Sequence, residues 1–420
     1  MMLAETPNIE NLSQLERVYS DCLGSKVTPG CEFIRSMIRR EYERDSKEEN
    51  LFAIYLKLCG NNYHMDAIRL VDADIKPICS ALMLKPCVVS LDLRYNRLTN
   101  LGAKILAEFL LSDELLEELN LMGNDIGVLG ATCIADALKI NKSLLVLKMT
   151  GNPIGCEGGL RLAQALQVNK TLEFIDLGEC DQNITSCIAF ATMLRGNKTI
   201  KGINLNRQLL WTLQEETTVH IANMLCVNNT LKELHLSKVD MRDFGAERLA
   251  DAMERNDTLE LLDISGNRIA RDGALALSRV ISANCSLVIL DLAFNRIQCA
   301  GARTIASALL NNTRLKVLAV QFCELKGPGL CALAEALITN MTLQNIYIWG
   351  NEHDESTCIA YSNLIRAGRL TEECTDVRPY VVDNRTYLAM LDHDCTYRMY
   401  RFSVPWWKSF VPSDRSVALF

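Results

Sequence analysis

The groups with chemistry to offer in this 420-residue chain are 51 acidic side chains, 17 cysteines and five histidines, and their spacing argues against catalysis. His64, His220, His235, His353 and His393 are scattered. Only His393 and Cys395, two apart between Asp392 and Asp394, have the character of metal ligands. A tetrahedral site needs three or four ligands, and no second pair accompanies this one. No phosphate-cradling GxxxxGK[ST] loop, HExxH pair or GxSxG elbow occurs. The expectation is therefore a non-enzyme, with no catalytic residue, metal or cofactor. What remains is recognition chemistry. Acidic side chains such as Glu118 and Asp176 lie toward the N-terminal and central part, and Phe294, Phe322, Tyr347 and Trp349 follow later. Pro405-Trp406-Trp407 adds a further aromatic group near the end. Aromatic anchors beside an acidic rim suit protein binding, because a few large rings carry most of an interface's energy.

The elements that must position these groups recur. Val88, Leu116, Leu144, Leu172, Ile200, Leu231, Leu259, Leu287, Leu315 and Leu343 each open a segment LxxLxLxxNxL, 28 residues apart except for a step of 31 from Ile200 to Leu231. In Leu116, Leu119, Leu121, Asn124 and Ile126 the alternating leucines point to one side of a short strand. Glu118, Asn120 and Met122 then point to the other. A second phrase follows, as in Gly130-Ala131 with Ile134, Ala135 and Leu138, whose spacing predicts a helix with one apolar face. Strands lie about 4.8 Å apart and helices about 8 to 10 Å, so such units must stack into an arc with strands inside. The expected fold is α/β, a right-handed horseshoe solenoid with a parallel sheet on the concave side and helices on the convex side. The acidic and aromatic residues named above would then line its concave sheet.

Composition narrows the partners. A net charge of -7 and a pI near 5.5 argue against sequence-independent nucleic-acid binding, which needs a Lys/Arg surface. Proteins with basic surfaces fit better. The first ten residues carry neither a basic nor an apolar signal region, and no run of 18 apolar residues occurs, so no membrane is expected. The cysteines, without CxxC pairs, read as reduced small hydrophobes of an intracellular protein. Sequons such as Asn169-Lys170-Thr171, Asn256-Asp257-Thr258 and Asn340-Met341-Thr342 recur just before the strands. Their register assigns them to the turn out of each helix rather than to glycosylation.

Three segments are expected. Residues 1–50 form a helical N-terminal cap, with helices built on Leu15, Val18, Tyr19 and on Phe33, Ile34, Met37, Ile38 around a Pro29-Gly30 turn. Residues 51–366 form the solenoid, ten clear repeats and one degenerate. Residues 367–420 hold nine aromatics and form either a cap or a docking tail. The linking Asn of the motif becomes Cys180, Gln208, Val239 and Cys323 in four repeats, and three residues are inserted near Trp211. Less regular packing is expected there.

The 28-residue period, with its full helix bearing GAxx[LI]AxAL, resembles the ribonuclease-inhibitor-like class of leucine-rich repeats over residues 51–366. That resemblance implies an intracellular binding module: an inhibitor, sensor, GTPase activator or axonemal component. No nucleotide-binding domain accompanies the repeats, and the acidic tail of Ran GTPase activators is missing, which counts against both of those activities. The leading expectation is a non-enzymatic scaffold that holds other proteins on its concave surface, as a member of a larger assembly. The alternatives are a GTPase-activating or inhibitor module and a structural component of the ciliary axoneme. The cytoplasm is the expected compartment, with nucleus, nucleolus or cilium as alternatives.

Overall fold

A computed structural model describes residues 9–24, 28–45, 54–61, 68–210, 215–283 and 286–391, and the chain divides into two compact units between Met193 and Leu194. The first unit begins with helices α1 (Ile9–Leu23) and α2 (Pro29–Asp45). Then strands β1 (Ile54–Lys57), β2 (Val88–Asp92), β3 (Glu118–Asn120), β4 (Val146–Lys148) and β5 (Phe174–Asp176) alternate with helices α3 (Asp72–Leu84), α4 (Asn100–Leu110), α5 (Val128–Leu138) and α6 (Gly155–Val168). Helix α7 (Ile184–Leu194) runs up to the division. The second unit alternates β6 (Gly202–Asn204), β7 (Glu233–His235), β8 (Leu261–Asp263), β9 (Ile289–Asp291), β10 (Val317–Ala319) and β11 (Asn345–Tyr347) with helices. These are α8 (Glu216–Leu225), α9 (Asp243–Met253), α10 (Arg271–Ser282), α11 (Gln298–Leu309), α12 (Gly327–Thr339) and α13 (Glu355–Arg366). A hairpin of β12 (Val377–Val382) and β13 (Arg385–Met390) follows.

Within each unit the strands pair in parallel and in chain order, β1 to β5 and β6 to β11. This is the α/β solenoid that the 28-residue motif dictates. Leu116, Leu119, Leu121 and Ile126 of one repeat are fully buried, as are Ala131, Ile134 and Leu138 of the helix behind them. Side chains between the leucines point to the opposite face of the sheet, as the two-residue alternation requires.

Two asparagine ladders tie repeat to repeat. Asn124 donates its amide hydrogens to the carbonyls of Leu93 (3.0 Å) and Leu121 (2.9 Å) and accepts from the backbone of Leu98 (3.1 Å). At the helix ends, Asn169 donates to Leu138 (2.7 Å) and accepts from Thr171 and Leu172 (3.0 and 2.8 Å). Asn256 and Asn340 repeat this pattern. The sequons are thus turn formers whose amide nitrogens are buried and bonded. Where the first ladder loses its Asn, the thiols of Cys180 and Cys323 donate instead to carbonyls 31 residues back, at 3.2 and 3.1 Å. Val239 cannot donate, and Asn267 of the next repeat accepts from the backbone of both Val239 and Met241 at 3.0 Å. The irregularity expected around the inserted residues therefore does not reach the strands, since β6, β7 and β8 keep an unbroken register.

The Gly-Ala phrase has a specific cause. Asp243, at the start of α9, accepts hydrogen bonds from Ala270 (2.7 Å) and Gly273 (2.9 Å), and so caps α10 of the following repeat. Asn100 does the same for Gly127 (2.9 Å) and Gly130 (2.8 Å) at α5. A Cβ at Gly273 or Gly130 would stand 2.7 or 2.9 Å from the capping oxygen, so glycine is required by the close approach.

Candidate functional site on the sheet face

The strand residues that point away from the helices carry the candidate chemistry. In the first unit, Glu118 of β3 is half-buried and forms an ion pair with Lys148 of β4 at 2.7 Å, with Ser90 of β2 3.2 Å away. Burial alone would lower the Lys148 pKa, but Glu118 raises it above the ordinary lysine range. Asp176 of β5 is fully buried and bonded to the Thr150 hydroxyl and the Gly178 backbone. The expectation that Glu118 and Asp176 form an exposed acidic rim is therefore corrected. Each is engaged within the sheet, because its neighbours 26 to 30 residues away in sequence are one strand over.

In the second unit this face changes character from β7 to β11. Glu233 and His235 of β7 and Asp263 of β8 form one group: the His235 ring nitrogens lie 2.6 Å from Glu233 and 3.3 Å from Asp263. Burial would lower the imidazole pKa, but the two carboxylates outweigh it and raise the value to about 10. His235 is a fixed cation here. Asp263, which burial alone would raise, is correspondingly lowered by the imidazolium. Asp291 of β9 continues the acidic row. Beyond it the positions turn apolar. Leu261, Ile289, Val317, Ala319 and Tyr347 form one cluster. The alternation places all five on the sheet face.

The four aromatics expected to be exposed do not share one fate. Phe294 and Phe322 are 47% and 45% exposed and stack with ring centroids 4.7 Å apart and planes 9° from parallel. Tyr347 is only 5% exposed, because it joins the apolar cluster, with its hydroxyl 3.2 Å from the Asn345 amide. Trp349 is half-buried and lies 5.7 Å from the His353 ring. Trp406 and Trp407 lie outside the described residues, as do His393, Cys395 and Trp211.

Phe294 and Phe322 also sit in left-handed backbone, at φ of 59° and 50°. The equivalent position is left-handed in the other repeats too, as glycine at Gly266 and Gly350 on either side of the pair and as Tyr95, Glu179, Arg207 and Lys238 elsewhere. A bulky residue there costs roughly 1–2 kcal/mol relative to glycine. Gly350 is needed for a second reason, since a Cβ would run into the Phe322 ring. The backbone thus holds two phenyl rings out from the end of the strands at a conformational cost.

Several features of this region were not read from the sequence. The charge on His235 has no signal in the sequence, since its two partners come from a register position and a neighbouring strand. The hairpin had a signal, Asp383-Asn384, both at positive φ as a tight turn between strands requires. Asp376 precedes it and accepts from the backbone of Ile348 (2.8 Å) and Trp349 (3.0 Å) and from the Gln321 side chain (2.8 Å), closing the end of β11. Among the described residues no group of three or more His, Cys, Asp or Glu is placed to hold a metal ion. Nor, among them, is any helix long and apolar enough to cross a membrane.

Residues 85–107, 113–135, 141–163, 255–278 and 283–306 match the family model described as Leucine Rich repeat. They fall on the repeated strand and helix, so the matched stretches are leucine-rich repeats. The chain is 43% identical over 215 residues to the rat Leucine-rich repeat-containing protein 34, a match covering 51% of this chain and 52% of that protein. Identity to the human protein of the same name is 49% over 190 residues, covering 45% and 41%. The chain thus matches about half the length of these curated relatives. Among solved structures, "Leiomodin-1 Actin-Binding Site 2 (ABS2)" is 21% identical, with a TM-score of 0.32, over 36% of this chain and 86% of that one.

Proposed function

We propose that this protein is a non-enzymatic scaffold that binds other proteins through the sheet face of its second unit. The observation that carries the reading is the Phe294–Phe322 stack, held out half-exposed in left-handed backbone. An exposed aromatic pair supports a partner segment with aromatic or aliphatic side chains.

The test is Phe294→Ser with Phe322→Ser in the full chain. Proteins captured from native cells by the parent and lost by this variant, with unchanged helical circular dichroism, support the reading; an identical captured set overturns it. A GTP-hydrolysis assay on any captured GTPase checks the non-enzymatic part, since a scaffold leaves that rate unchanged.

A further inference from the structure

We infer that the Phe294–Phe322 stack takes an extended segment of a partner protein in which an acidic side chain stands two residues from a large apolar one, the carboxylate meeting Lys238. This rests on the scaffold reading above and names the chemistry of the partner. It is acidic, although the net charge of -7 on the whole chain suggests basic partners.

Lys238, Gly266, Phe294, Phe322 and Gly350 occupy the same left-handed position just past successive strands β7 to β11. They stand side by side, because each backbone N–H reaches the next repeat: that of Gly266 donates to the Ala293 carbonyl at 2.8 Å and that of Phe294 to Gln321 at 2.7 Å. Gly266 leaves a notch in this row. The Lys238 side chain leans into it, with its Cγ and Cε 2.7 and 3.5 Å from where a Cβ of residue 266 would stand. The stem thereby carries the ammonium toward the two rings. Lys238 is exposed and, among the described residues, forms no ion pair.

The surroundings are basic. The turns from β7 to α9, β8 to α10 and β9 to α11 carry Lys238, Arg242, Arg268 and Arg296 against one carboxylate, Asp240. Asp240 pairs with Arg268 at 2.7 Å and with Arg242 at 3.9 Å, and Arg296 lies 4.0 Å from Glu324 of the following turn. The carboxylates of the strands are engaged below: Glu233 and Asp263 with His235, and Asp291, 3% exposed, with the Ala293 N–H at 2.9 Å. The charge that a docking segment touches beside the rings is therefore positive. Adjacent row positions lie about 4.8 Å apart, which puts the middle of the stack about 7 Å from the Gly266 notch. Side chains on one side of an extended segment recur every two residues, about 6.8 Å. A carboxylate at the notch thus places an apolar side chain on the stack two residues away, where the rings supply binding energy and the rim charge sets register and association rate.

Selection of short random displayed peptides against the full chain tests this. Peptides whose binding is lost on Phe294→Ser with Phe322→Ser should carry Asp or Glu two residues from an aromatic or large aliphatic residue. Lys238→Glu should weaken these peptides roughly three- to tenfold at low salt, and exchanging the peptide's acidic residue for Lys should restore binding to the variant. Glu179 occupies the equivalent left-handed position in another repeat, so this substitution demands no new backbone. Raising the salt from about 0.05 M to about 0.5 M should erase most of the difference between parent and variant. Ring-dependent peptides that are basic or show no charge preference overturn the inference, as does an affinity that Lys238→Glu leaves unchanged. A selection that yields no ring-dependent peptide also overturns it. If the phenylalanine variant loses its cellular partners while the charge exchange has no effect, the inference falls and the scaffold reading stands. If acidic peptides bind through the rings and Lys238 while cellular capture is unaffected by the phenylalanine substitutions, the reverse holds.

Discussion

Replacing His235 by Gln should remove a pH dependence that the parent protein shows between neutral and alkaline solution. The imidazole lies 2.6 Å from Glu233 and 3.3 Å from Asp263, and its side chain is 5% exposed. Its folded-state pKa, raised to about 10 by the two carboxylates against the opposing effect of burial, exceeds the unfolded value near 6.5. A group whose pKa is raised by folding stabilises the fold fully below the unfolded pKa and loses that contribution as pH rises through the folded one. The window is therefore about pH 6.5 to 10. Each pH unit within it removes about 1.4 kcal/mol, a few kcal/mol in all. Asp263, whose pKa is lowered, acts at the other end, contributing above its unfolded value and losing stability only in acid. The assay is urea unfolding from pH 6 to 10 on the parent and on His235→Gln, comparing the difference between them so that lysine and cysteine titrations cancel. At pH 7 the variant should be less stable by roughly 3–5 kcal/mol, because Glu233 stays buried without its cation. That deficit should shrink as pH approaches 10. In the parent, the His235 ring resonance should not titrate between pH 5.5 and 8.5. Parallel stability curves, or a ring that titrates near 6.5, would refute the assigned cation.

The framework makes further predictions. Asn267→Ala removes the partner of three backbone carbonyls, Leu236, Ile264 and Ser265, and of two backbone N–H groups, Val239 and Met241. It should cost roughly 2–4 kcal/mol in thermal or urea melts, and a change under 1 kcal/mol would contradict the bonded ladder. Gly273→Ala pushes the Asp243 oxygen off the start of α10 and should cost about 1–2 kcal/mol, whereas Ala at an uncapped helix glycine would stabilise. Expression through a secretory route should leave Asn169, Asn256 and Asn340 without glycans by mass spectrometry, since each side-chain nitrogen already donates to a buried carbonyl.

The register of leucines at 28-residue intervals is enough by itself to determine the alternation of strand and helix, because each repeat has one apolar strand side and one apolar helix stripe that only stacking can bury. It also determined that the sequon asparagines are turn formers, since their place before each strand is a property of spacing. Tertiary structure decided the rest through contacts between residues 26 to 31 apart. Whether Glu118 faces solvent or Lys148, whether Tyr347 joins an apolar cluster, and whether His235 carries a charge all depend on the strand alongside. The same holds for Gly273, whose need is set by an Asp one repeat earlier, and for Phe294 and Phe322, whose stacking depends on a backbone angle and on a neighbour without a side chain at Gly350. Local patterns fix which face a residue occupies; the company it keeps there is fixed only when repeats are laid side by side.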